Sequence, residues 1–110
     1  AQSVGLDIGS GLVKAVVVNH AGEIPEVARV VVTPVAADAI VEGEVMDPAL
    51  VAEAVRETLA ACGDGAPKVV VSVGGRDVIV KRIRTERVKA SQARELLRFE
   101  AEQHVPFDMD

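Results

Sequence analysis

An apolar run over residues 3–8, tipped by Asp7, breaks at Gly9-Ser10-Gly11 and resumes over residues 12–18. Two apolar runs around so short a break predict a pair of antiparallel strands. Residues 19–23 read as a second turn, with Gly22 supplying a positive φ angle. A third strand is expected over residues 26–33, where β-branched residues crowd from Val27 to Val32 and Pro34 ends the run. Residues 35–46 fit either a short strand or an ordered loop around Gly43.

The period then changes. Val51, Val55, Thr58, Leu59 and Cys62 recur at helical spacing and form one stripe, while Glu53, Arg56 and Glu57 fall outside it. Asp47 is a suitable N-cap, and Pro48 suits the first helical position, where its missing N–H costs nothing. Gly63 stands where a left-handed C-terminal residue is wanted. Residues 68–73 read as a strand apolar on both faces, of the kind buried inside a sheet covered by helices. Gly74-Gly75 breaks it and marks the expected subdomain border. Residues 78–84 read as a half-exposed strand. Ser91 is the expected cap of a helix from Gln92 to about His104, with Ala93, Leu96, Leu97 and Ala101 as its stripe and Pro106 as its stop. The fold class is α/β with a mixed sheet.

Composition narrows the function. The chain has 110 residues, no Trp or Tyr, and only Phe99 and Phe107 as aromatics, so base stacking has little material. A formal net charge of −5 disfavours a general nucleic-acid surface. The balance is uneven, because residues 1–75 carry 4 basic and 10 acidic side chains and residues 76–110 carry 8 and 7. Cys62 is the single cysteine, expected as a small core residue. His20 and His104 have no companions at zinc-ligand spacing. No apolar run reaches the ~18 residues of a membrane span, and no signal-peptide layout opens the chain. A cytosolic piece of a longer protein is expected.

The first hairpin carries the candidate chemistry. Successive N–H groups in a Gly-Ser-Gly turn can converge on an anion. Ser10 offers a hydroxyl and Lys14 a positive charge to a β- or γ-phosphate, while Asp7 would hold Mg²⁺, usually through water. The alternative is a plain hairpin whose aspartate only supports the turn. The loop lacks the Gly-Lys-Ser/Thr of a P-loop and the third glycine of a dinucleotide fingerprint.

Four stretches carry a family likeness. They are residues 5–14, residues 42–48 with the helix they open, residues 69–77, and the segment Arg98-Phe99-Glu100-Ala101-Glu102-Gln103-His104-Val105-Pro106-Phe107. Together they resemble the actin-like ATPase superfamily and most closely its type IV pilus assembly PilM branch, related to the cell-division protein FtsA. The resemblance implies a ribonuclease-H-like subdomain 1A over residues 1–75 and the opening strand and helix of an FtsA-type subdomain 1C over residues 76–110. It implies ATP with Mg²⁺ as cofactors of the longer protein, with Asp7 ordering the metal's water, Gly9, Ser10 and Gly11 contacting phosphate, and Lys14 neutralising it. Gly11 departs from the Ser or Thr common there.

The same likeness implies a scaffold at the cytoplasmic face of the inner membrane. It would grip the N-terminal tail of a PilN-like membrane protein in a groove between the two subdomains. Arg76, Lys81, Arg82 and Arg84 lie along an expected strand edge where an extended tail can add, or else they form a solvated face. Phe99 and Phe107 are expected in the core of the second unit, and His104 at a helix end. The piece alone is expected to hydrolyse nothing. A fragment of an FtsA-like protein or a sugar kinase, and a nucleotide-independent binding module, are the rival readings. Self-association stays open.

Overall fold

Alternating apolar side chains draw the first third of the chain into a meander. The computed structural model describes residues 1–64, 68–75 and 78–106. Strand β1 (Gln2–Ile8) pairs antiparallel with β2 (Leu12–Asn19), and β2 with β3 (Glu26–Pro34). Pro34 is the last residue of β3, so the proline closes the strand from inside it. A register shift between Val17 and Val18 leaves Ala28 extra on β3, and such a bulge strengthens local twist.

Residues 35–46, ambiguous in sequence, contain a miniature hairpin of β4 (Ile40–Val41) and β5 (Glu44–Val45). Its two turn residues, Glu42 and Gly43, have φ of 51° and 88°, the left-handed pair that a type I′ hairpin turn requires. The Ala39 carbonyl accepts from the Met46 N–H at 2.8 Å and the Asp47 N–H at 3.2 Å. These bonds fasten the hairpin to the start of α1 (Pro48–Cys62).

Asp47 caps α1 as expected, its Oδ1 accepting from the Leu50 N–H at 3.2 Å. At the other end Gly63 has a positive φ of 96°, but its ψ of 166° is extended rather than left-handed helical. The Arg29 guanidinium from β3 completes that end by donating to the Ala61 carbonyl at 2.8 Å. Helix α1 packs across β2 and β3. Val51, Ala54, Thr58 and Cys62 face Val4, Leu6, Val13, Ala15 and Val17 in the core, with Val55 and Leu59 half-buried. Fully buried Thr58 shares a 2.7 Å hydrogen bond with the Thr33 hydroxyl and another of 2.7 Å with the Ala54 carbonyl. One hydroxyl has one proton, so one consistent arrangement has Thr33 donating to Thr58 and Thr58 to Ala54.

Strand β6 (Val69–Val71) is parallel to β1, giving a mixed four-stranded sheet ordered β3-β2-β1-β6. This corrects the expected interior strand over 68–73. Only three residues pair, and β6 is the end strand of the sheet among the described residues. Val69, Val70 and Val71 are 42%, 53% and 53% exposed because α1 lies over the other side of the sheet's width. The face opposite α1 presents Val16, Val30, Val32 and Val70, the last three exposed.

The chain divides into two units, Ala1–Val78 and Ile79–Asp110. In the second unit the expected strand over 78–84 is absent among the described residues. Four β-branched residues among seven give that stretch strand propensity, but no described residue offers it a ladder partner. Helix α2 (Ala90–His104) begins earlier than expected, with Lys89 at the cap making no side-chain bond and Ser91 inside the first turn. No residue of α2 is fully buried. Phe99, expected in a core, is 59% exposed, and Phe107 lies outside the described residues. His104 does sit at the helix end, its Nδ1 within 2.7 Å of the Glu100 carbonyl.

Candidate functional site

The register of the first hairpin places Asp7 on β1 directly opposite Lys14 on β2, on the face away from α1. Lys14 Nζ stands 3.0 Å from Asp7 Oδ2, with the two side chains 45% and 67% exposed. A pair so solvated adds little stability. Its consequence is positional, since an ammonium and a carboxylate wait together at the mouth of the turn.

The backbone of that turn is only partly as expected. The Gly9 N–H donates to the Leu12 carbonyl at 3.0 Å and is therefore engaged within the hairpin. Among the described residues the Ser10 and Gly11 N–H groups donate to no protein acceptor. Two of the three turn amides, and the Ser10 hydroxyl, are thus left for an anion. The Gly11 carbonyl accepts from the Val35 N–H at 2.9 Å, which ties the turn to the end of β3.

The glycines also differ in what they do. Neither Gly9 nor Gly11 has a positive φ. A Cβ on Gly9 would lie 3.0 Å from the Leu12 carbonyl oxygen and 3.5 Å from Lys14 Nζ, whereas one on Gly11 would meet nothing within 4 Å. A side chain at Gly9 would press on that carbonyl, whereas Gly11 sits in open space.

A hollow of about 440 Å³ opens beyond the carboxyl ends of the parallel strands β1 and β6. Asp7, Gly9 and Ser10 form one wall, and Ile40, Gly43 and Val45 of the β4–β5 hairpin another. Ligands of open α/β sheets gather at the carboxyl ends of parallel strands. A second hollow of about 390 Å³ lies over Gly5, Val16 and Val70, with Asp7 and Lys14 among its lining. Asp7 and Ser72 line both. Among the described residues no three His, Cys, Asp or Glu side chains gather as a metal cluster. Asp7 is a single carboxylate, a donor set that suits a cation keeping most of its waters.

Asp7, Gly9, Ser10, Gly11 and Lys14 therefore share one hairpin. The expected partner residues stand elsewhere. Arg76 lies outside the described residues, while Lys81, Arg82 and Arg84 belong to the second unit. Arg82 and Arg84 are exposed, but the Lys81 ammonium donates to the His104 carbonyl and so steadies the end of α2. Sequence reasoning missed the β4–β5 wall and Ser72. The signals were Gly43 between two short apolar pairs, and a lone hydroxyl in a run of valines. No helix among the described residues is long and apolar enough to cross a membrane.

Comparison with known proteins converges on one family. The family profile described as type IV pilus assembly protein PilM matches residues 5–110. A solved structure described as a PilM–PilN type IV pilus biogenesis complex superposes with a TM-score of 0.77 at 28% identity, covering 99% of this chain and 32% of that one. The chain thus spans about a third of that structure's length. No curated protein shows a significant match.

Proposed function

The chain belongs to the type IV pilus assembly protein PilM family, and we propose that it supplies the phosphate-gripping part of an actin-like, ATP-responsive scaffold. That scaffold assembles at the cytoplasmic face of the inner membrane and holds the N-terminal tail of a PilN-like membrane protein. The solved PilM–PilN complex that the chain resembles motivates the choice of partner. The observation that carries the nucleotide reading is the Asp7–Lys14 pair beside a turn with two undirected amides, at a hollow beyond the ends of β1 and β6.

The residues fit ATP and Mg²⁺. Lys14 and the amides of Ser10 and Gly11 would take phosphate oxygens, and Asp7 would order a metal-bound water. The cation supplies charge neutralisation between phosphates. What this chain's own groups do is bind and orient. Gly9 lets the turn close against the Leu12 carbonyl, and the Val35–Gly11 bond ties it to the end of β3. No residue is assigned a hydrolytic step. Subdomain 1A over residues 1–75 and a partial subdomain 1C over residues 76–110 are the corresponding division. Arg76, Arg82 and Arg84 are the proposed contacts for the tail.

The test is a titration of the intact protein with Mg-ATP and with a peptide of the PilN-like tail, each alone and together. Lys14→Ala is expected to weaken ATP by about ten- to a hundredfold, as befits a lost charge-assisted bond. Arg82→Ala is expected to weaken the peptide. Nucleotide binding indifferent to both Asp7→Ala and Lys14→Ala would return the hairpin to a structural role.

A further inference from the structure

Asp7 poses a problem that the hairpin alone does not solve. Its carboxylate is held by one strong partner, Lys14 Nζ at 3.0 Å. An incoming polyphosphate competes for that same ammonium. Once Lys14 turns towards phosphate, a 67% exposed carboxylate on a strand end has nothing on β2 to fix it.

The neighbouring strand offers a substitute. The parallel ladder pairs Gly5 with Val70 and ends at Leu6 with Val71, and Asp7 and Ser72 are the residues that follow it on the two chains. Neighbours in a parallel sheet share a face and stand about 4.8 Å apart between strands. Lys14 and Asp7 face each other across β2 and β1, and Ser72, just past β6, lines the same hollow as both. Asp7 and Ser72 both border each of the two hollows. Within residues 69–73 Ser72 is the single polar side chain. A hydroxyl there can rotate to donate to a carboxylate or to a water.

We propose that Ser72 is a further positioning residue of the phosphate site, whose hydroxyl fixes the Asp7 carboxylate when phosphate draws Lys14 away. The inference rests on the nucleotide reading above. It makes the contribution of Ser72 specific to the metal-bound nucleotide, because that is the ligand for which the aim of Asp7 matters. Without Mg²⁺, ATP is held by Lys14 and the turn amides, and Ser72 is idle.

The experiment measures ATP affinity of the intact protein with and without Mg²⁺ for wild type, Ser72→Ala, Ser72→Thr, Asp7→Asn and the Ser72→Ala/Asp7→Asn pair. Circular dichroism melts confirm that each is folded. Ser72→Ala is expected to weaken Mg-ATP about three- to tenfold, the range of one hydrogen bond, and to leave metal-free ATP unchanged. Ser72→Thr restores wild-type binding. In the Asp7→Asn background Ser72→Ala adds nothing, the mark of coupled residues. Equal losses with and without Mg²⁺ would show a merely structural serine and overturn the proposal. So would no loss in Ser72→Ala while Asp7→Asn still abolishes the Mg²⁺ effect, an outcome that leaves the nucleotide reading standing. If Asp7→Asn itself changes nothing, the metal-ordering role of Asp7 falls and the proposal with it, while Lys14→Ala still decides the nucleotide reading.

Discussion

Two glycines separated by one residue should respond unequally to alanine. A Cβ on Gly9 meets the Leu12 carbonyl oxygen at 3.0 Å, and ordinary contact begins at 3.4 Å, so that carbonyl must retreat by a few tenths of an ångström. The same oxygen accepts the Gly9 N–H at 3.0 Å. Losing that bond costs about 0.5–1.5 kcal/mol. Alanine's stiffer unfolded chain returns about 0.4–1 kcal/mol, so Gly9→Ala should fall between about 0.5 kcal/mol stabilised and about 1 kcal/mol destabilised. Gly11→Ala meets nothing within 4 Å and needs no positive φ. It should keep the whole entropic gain, about 0.4–1 kcal/mol. A gap of about 1 kcal/mol corresponds to several degrees in Tm for a domain of this size. Far-UV circular dichroism is the suitable probe, since the chain has no Trp or Tyr. Equal Tm shifts of the same sign in both variants would refute this account of the turn.

Three further outcomes follow from the packing of the first unit. Thr58→Val strands the buried Thr33 hydroxyl and should cost about 1–3 kcal/mol, while adding Thr33→Val should recover most of the loss; denaturant titrations of the three variants give the coupling. Asp47→Ala removes the α1 cap and should cost about 1 kcal/mol in the same assay. Arg29→Met keeps the apolar stem but loses the bond to the Ala61 carbonyl, for about 0.5–1.5 kcal/mol and faster amide exchange at the end of α1.

The first hairpin and α1 were legible because their signals are local. Asp47-Pro48 and the helical stripe state where α1 begins and which side it buries. The spacing across Gly9-Ser10-Gly11 sets Asp7 opposite Lys14 without any tertiary information. The valines of β6 were misread for the converse reason. A run apolar at every position says that both faces resist water, not whether anything covers them or how many residues pair. Residues 78–84 failed similarly, since a strand needs a partner and propensity cannot name one. In the site, residue types were readable but amide directions were not. The Gly9 N–H turns to Leu12 through backbone angles that no side chain announces. The β4–β5 wall was hidden because two-residue strands are too short to show a period.

The valine face opposite α1 governs how truncations of this protein will behave. Val30, Val32 and Val70 stand 62%, 54% and 53% exposed on a β-branched surface, and an apolar expanse of that kind is adhesive in water. Shortened versions that leave it bare should clump or bind hydrophobic dyes, and a pull-down with them would report stickiness as partnership. Salt-insensitive capture abolished by Val30→Lys would betray the artefact.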